Sequence, residues 1–204
     1  MGGERECGMG DIQQEIAATA ARMVVEEGLG FGAAKQRALK SLGLPARTAL
    51  PSNEQLEAQV HEYIGLFCAE TQAQELKALR ELAVGWMQRL AEFRPYLGGA
   101  VWQGWATRMQ DIDLALFVDD PKAVEIALIN QQLRYEVHAR AGRDGRGVEV
   151  LSLHSFCPVL REDVGVHLWI YDAARLRGAL VPDGQGRSPR GDLAALRHRL
   201  QQEA

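Results

Sequence analysis

Apolar residues recur at helical spacing up to Phe93 and at strand spacing after Tyr96, and this change of period limits the folds open to the chain. From Asp11 to Glu27 the stripe Ile12, Ile16, Ala20, Met23 and Val24 predicts a helix, which Gly28, Gly30 and Gly32 break. A second helix is expected from about Ala33 to Gly43, with Pro45 beyond it. Ser52 followed by Gln55 is the spacing of a capping box, and Leu56, Val60, Tyr63, Ile64 and Phe67 form the stripe behind it. A fourth helix, Ala73 to Phe93, carries Leu76, Leu79, Leu82, Trp86, Leu90 and Phe93 on one side and stops before Pro95. Four helices over residues 11–93 are the content of a helical bundle.

The second half alternates instead. DIDLALFVDD (111–120), RYEVHARAG (134–142), GVEVLSLHSF (147–156) and VGVHLWIYD (164–172) each place Val, Ile, Tyr or Trp at strand spacing. Pro121 opens a helix through AVEIALINQQL, RAGRDGRG (140–147) reads as a hairpin loop, and helix resumes near Asp192. The expected fold is α+β. Residues 1–94 form a helical region, and residues 95–204 form a small mixed sheet with flanking helices.

Composition narrows the function. With 204 residues the chain can bury a core without metal or disulfide staples. A balance of 23 Lys+Arg against 27 Asp+Glu, net −4, argues against a protein that wraps duplex nucleic acid. Cys7, Cys68 and Cys157 are scattered and odd in number, which fits reduced thiols better than a disulfide framework or a zinc site. The opening MGGERECGMGDIQQE has no signal-peptide pattern, and no apolar run approaches the ~18 residues of a membrane span, so a cytoplasmic protein is expected.

The segment YLGGAVWQGWATRMQDIDLALF (96–117) concentrates the chemistry. Residues two apart on a strand share a face, so Asp111 and Asp113 project together while Ile112 enters the core. Two adjacent carboxylates repel unless a cation lies between them, the arrangement of a magnesium site for phosphoryl transfer. Glycines at 98, 99 and 104 allow backbone N–H groups to come close to a phosphate.

Leu97-Gly98-Gly99, eleven intervening residues and then Asp111-Ile112-Asp113-Leu114 resemble the signature of the DNA polymerase β-like nucleotidyltransferases. The resemblance covers about residues 94–172. It implies Mg²⁺ or Mn²⁺ on Asp111 and Asp113, with Glu149 as a third carboxylate that completes the metal site or helps deprotonate the acceptor. It also implies a nucleoside triphosphate, ATP first, held by Gly98, Gly99 and Gly104 with Arg108 or Lys122 assisting. A nucleoside monophosphate would pass to an unidentified acceptor. The chain departs from the pattern at Ala100, where a serine is usual if Gly99 is the paired glycine, and at Gln103, where a basic residue is common.

These departures keep a second class open: a catalytically inactive protein of the same fold that binds nucleotide or a protein partner, with the helical region as a partner or homodimer surface. A toxin–antitoxin role is a third. Other features have plainer readings. Trp102 and Trp105 read as core before base-stacking platforms, and His61, His138, His154, His167 and His198 lack metal-site spacing. The arginines from Arg175 to Arg199 read first as a solvated basic face, with a polyanionic ligand as the alternative. GLGFGAAK (28–35) lacks both the preceding strand and the GK[ST] ending of a phosphate loop.

Overall fold

A computed structural model describes residues 3–142, 145, 147–183 and 186–203, with side chains placed except at 3–9 and 141. Residues 143, 144 and 146 of the loop expected at 140–147 and the side chain of Cys7 therefore lie outside the described residues. By internal contacts the chain divides into two units, Met1–Ala73 and Gln74–Ala204.

The first unit holds α1 (Gly3–Glu27), α2 (Phe31–Ser41) and α3 (Asn53–Phe67), with α1 packed on both others. The capping box at Ser52 and Gln55 is present: the Ser52 hydroxyl accepts from the Gln55 N–H, and the Gln55 side chain accepts from the Ser52 N–H. Leu56, Val60 and Ile64 are buried along α3. Lys35 on α2 is buried too, and donates to the Pro51 carbonyl at 2.8 Å and to Asn53 Oδ1 at 2.7 Å, which ties α2 to the start of α3.

The second unit begins with α4 (Gln72–Arg89) and is built on a five-stranded mixed sheet. In chain order its strands are β1 (Tyr96–Gly98), β2 (Ile112–Val118), β3 (Glu136–Ala141), β4 (Gly147–Cys157) and β5 (Glu162–Asp172). Across the sheet the order is β1-β2-β5-β4-β3, and only β2 and β5 run parallel. The helices of this unit after α4 are α5 (Gly99–Gln103), α6 (Pro121–Asn130), the single turn α7 (Leu176–Ala179) and α8 (Leu193–Gln202). The α+β class expected from the sequence is the class observed. Among the described residues no helix is long and apolar enough to cross a membrane.

The boundary expected after residue 94 is not where the contacts divide the chain. Leu76, Leu79, Ala83, Trp86 and Met87 of α4, with Leu90 just after it, belong to the same core as Leu114, Leu151 and Leu168 of the sheet, so the fourth helix belongs to the second unit. A helical stripe shows that a face is buried but not what buries it.

Alternation assigns the two faces of the sheet. Ile112, Leu114 and Leu116 of β2, Leu151 and Leu153 of β4, and Val166, Leu168 and Ile170 of β5 point to the helical side, in one core with Val101 of α5, Val124 and Leu128 of α6 and Leu196 of α8. The other face carries Ala115, Phe117, Val148 and Tyr171 as a small apolar cluster. Further along that face stand polar groups.

Candidate functional site

Asp113 lies on β2, directly opposite Gly98 of β1 and His167 of β5. Asp111 immediately precedes the strand, and its parity sends it to the same face as Asp113. The structure thus brings the two aspartates together, away from the helix-covered side, beside the first turn of α5.

Each carboxylate is fixed differently. Asp111 is half-exposed; its Oδ1 accepts the Gly165 N–H at 3.1 Å, and its Oδ2 lies 3.0 Å from His167 Nε2. The His167 bond, aided by the backbone N–H of Gly165, holds the Asp111 carboxyl below the usual carboxylate range against the opposing effect of burial. His167 is itself held from behind by Ser152, whose hydroxyl lies 2.9 Å from Nδ1. Asp113 is mostly buried and accepts the Trp169 indole N–H at 2.7 Å. Burial pushes its carboxyl up, the Asp111 charge adds to that, and the Trp169 bond offsets only part.

Two glycines make room for these carboxylates. At Gly99 φ is +65°, and a Cβ there would lie 2.7 Å from Asp113 Oδ2. At Gly165 a Cβ would come within 2.5 Å of the Asp111 carboxylate. Gly98 is extended backbone, and a Cβ on it would meet Arg190 Cγ at 3.3 Å.

The remaining expected site residues go elsewhere. Glu149 pairs in register with Ile170, so it points to the helical side of the sheet and does not join Asp111 and Asp113. The strand beside β2 is β5, which presents His167 and Trp169 to the two aspartates. Lys122 follows the far end of β2, on α6, and its Nζ pairs with Glu125 at 2.6 Å, within electrostatic reach of Glu149. Gly104 ends α5 with φ +97°, next to the buried guanidinium of Arg80, so it serves the helix terminus opposite Gly99. Arg80 and Arg199 donate there to the carbonyls of Val101 and Trp102.

Arg108 lies at the aspartate end of the sheet, but its guanidinium makes a two-pronged pair with Glu162, at 3.1 and 2.9 Å, and also donates to the Leu160 carbonyl. Ala100 and Trp102 are buried in the core, and the Trp102 indole donates to the Ser188 carbonyl.

Sequence reasoning did not assign Gly165, His167 and Trp169 to the site. The signal was present as the alternation Gly165, His167, Trp169, Tyr171, which puts one of every two residues of β5 on a common face. What the alternation did not contain was the pairing of β5 with β2.

Among the described residues no group of three or more His, Cys, Asp and Glu side chains is arranged to hold a metal ion. A cation here would therefore take two carboxylates from the protein and its other ligands from water or substrate oxygens. That donor set suits magnesium, which is commonly held by one or two carboxylates together with substrate phosphates. A carboxylate raised in pKa chiefly by burial, with the Asp111 charge adding to it, is also one that a cation would relieve. Neither a protein-family model nor a curated protein sequence matches the chain.

Proposed function

We propose that the second unit is a divalent-metal-dependent nucleotidyltransferase that moves a nucleoside monophosphate from a triphosphate, ATP first, to an acceptor hydroxyl. The observation that carries this reading is the pairing of Gly98 with Asp113 across β1 and β2, which sets the Gly98-Gly99 turn against two carboxylates on the less covered face. Asp111 and Asp113 would hold Mg²⁺ or Mn²⁺, which when bound offsets negative charge on phosphate oxygens. The backbone at Gly98 and Gly99 would orient the phosphates, a task side chains at those positions would obstruct.

His167, braced by Ser152, keeps Asp111 turned toward the site; Trp169 does the same for Asp113. In the reaction the acceptor oxygen bonds to the α-phosphorus, the bond to the α–β bridging oxygen breaks, pyrophosphate leaves and the hydroxyl proton is released to solvent. Most of the rate gain in such a site comes from positioning and charge. The compartment that fits this reading is the cytoplasm.

Pyrophosphate release from the four ribonucleoside triphosphates, with Mg²⁺ and a panel of hydroxyl acceptors, tests the reading. Release by the wild type should fall at least a hundredfold in Asp113→Asn and stop in EDTA. Release that survives both treatments contradicts it.

One observation favours a second reading. With Glu149 on the opposite face, the aspartate site has two carboxylates and an imidazole in place of three acids. A protein that keeps the fold and binds nucleotide, or a protein partner through α1–α3, without transfer would look the same at Asp111 and Asp113. It would bind nucleotide yet release no pyrophosphate with any acceptor.

A further inference from the structure

The less covered face of the sheet carries a second feature that the two aspartates do not use. A cavity of about 480 Å³ opens beyond the end of β5, lined by Tyr171, Arg175, Ala179, Val181, Pro189 and Arg190 among others. Its size is in the usual range for small-molecule sites. Its walls are of two kinds: small apolar side chains, and two arginines beside a tyrosine.

Arg190 is the informative member. Its guanidinium carbon lies 5.1 Å from the centre of the Tyr171 ring and 6.0 Å from that of Phe117, and it donates to the Tyr171 hydroxyl at 3.2 Å. Among the described residues no carboxylate pairs with it, in a chain whose acids outnumber its bases. The segment that carries it is anchored, because Gly191 and Leu97 exchange backbone hydrogen bonds at 2.8 and 2.9 Å. The stem of the same side chain passes over Gly98 at the glycine turn. A planar cation braced on aromatic faces, without an anionic partner, and facing an apolar-walled cavity is suited to a phosphate group.

We propose that this cavity is a phosphate-binding subsite with Arg190 as its anchor, taking a small phosphate ester whose apolar or aromatic body lies against Ala179, Val181 and Pro189. In the nucleotidyltransferase reading, on which its role rests, the subsite receives either a phosphorylated acceptor or part of the nucleotide; the shared chemistry is the phosphate.

Calorimetric titration of the whole chain with phenyl phosphate in EDTA tests the subsite without any metal. The expected result is saturable binding that phenol does not reproduce, that Asp113→Asn retains, and that Arg190→Gln weakens at least tenfold. Arg190→Lys keeps the charge and should recover part of the loss, which separates lost recognition from a damaged fold. A non-hydrolysable ATP analogue added in EDTA identifies the source. Competition with phenyl phosphate assigns the subsite to the nucleotide, and independent binding or none assigns it to a phosphorylated second substrate.

No binding of phenyl phosphate, equal binding of phenol, or indifference to Arg190 overturns the proposal. Those outcomes leave metal-dependent nucleotide binding at Asp111 and Asp113 untouched. Conversely, loss of the nucleotidyltransferase reading would leave Arg190-dependent phosphate binding in place.

Discussion

The indole N–H of Trp169 points at Asp113 Oδ1 from 2.7 Å, joining neighbouring parallel strands through side chains on one sheet face. It is the bond that keeps a mostly buried carboxylate oriented. Trp169→Phe removes the donor and leaves the acceptor unsatisfied, which should cost about 1–3 kcal/mol in urea unfolding. The same indole is a reporter. Its fluorescence should change when Mn²⁺ is added, and the change attributable to Trp169 should vanish in the phenylalanine variant.

The two aspartates carry opposite pH signatures. Asp113 has a raised carboxyl in the folded chain, so the stability it contributes is present below its unfolded value of 3.8 and is lost as pH rises through the folded value. At neutral pH its charge is therefore a cost, and Asp113→Asn should raise the melting temperature while removing activity. Each 1 kcal/mol gained moves the midpoint by roughly 2–4 °C in a chain of this size. Asp111, held below 3.8, contributes stability that is present above 3.8 and is lost as pH falls through its folded value. Asp111→Asn should thus flatten the acid limb of a stability–pH curve. Thermal melts from pH 3 to pH 8 check both signs.

Gly99 and Gly165 should respond to alanine in different ways. Gly99→Ala meets both a positive φ and a Cβ 2.7 Å from Asp113 Oδ2, so it should destabilise by roughly 1–3 kcal/mol and displace the carboxylate. No left-handed backbone constrains Gly165. There the Cβ would come within 2.5 Å of the Asp111 carboxylate, so the expected effect is loss of metal-dependent activity with a smaller loss of stability. Paired melts and activity assays of the two variants separate strain from site damage.

In the helical unit, Tyr63 donates its hydroxyl to Glu26, and that bond pushes its pKa up to about 12. Its contribution to stability is present below pH 10 and is lost as pH rises from 10 through about 12. An ultraviolet titration should show a late tyrosinate step in the wild type that is absent from Tyr63→Phe.

Local pattern carried much of this architecture. Helical stripes, the Ser52–Gln55 box and strand alternation are written within single segments, and so is the shared face of Asp111 and Asp113. The neighbours of those segments are not. In GVEVLSLH either set of alternate residues fits an aspartate-side face, and only the β4–β5 register sends Glu149 to the helices and Ser152 toward His167. Strand β1, three residues long, gives no alternation to read, yet it fixes Gly98 against Asp113. The need for a missing Cβ at Gly165 comes only from Asp111, which arrives from another segment. Arg190 was one arginine in a basic tail until backbone pairing of Gly191 with Leu97 brought it over the glycine turn.

The most direct measurement is calorimetric titration of a non-hydrolysable ATP analogue into the wild type and Asp113→Asn, each with Mg²⁺ and with EDTA. A working metal site on Asp111 and Asp113 predicts saturable binding with Mg²⁺ in the wild type, and binding lost or weakened at least tenfold in EDTA and in the variant. Failure of ATP and the other three nucleotide analogues to bind, or binding indifferent to both metal and Asp113, would contradict it.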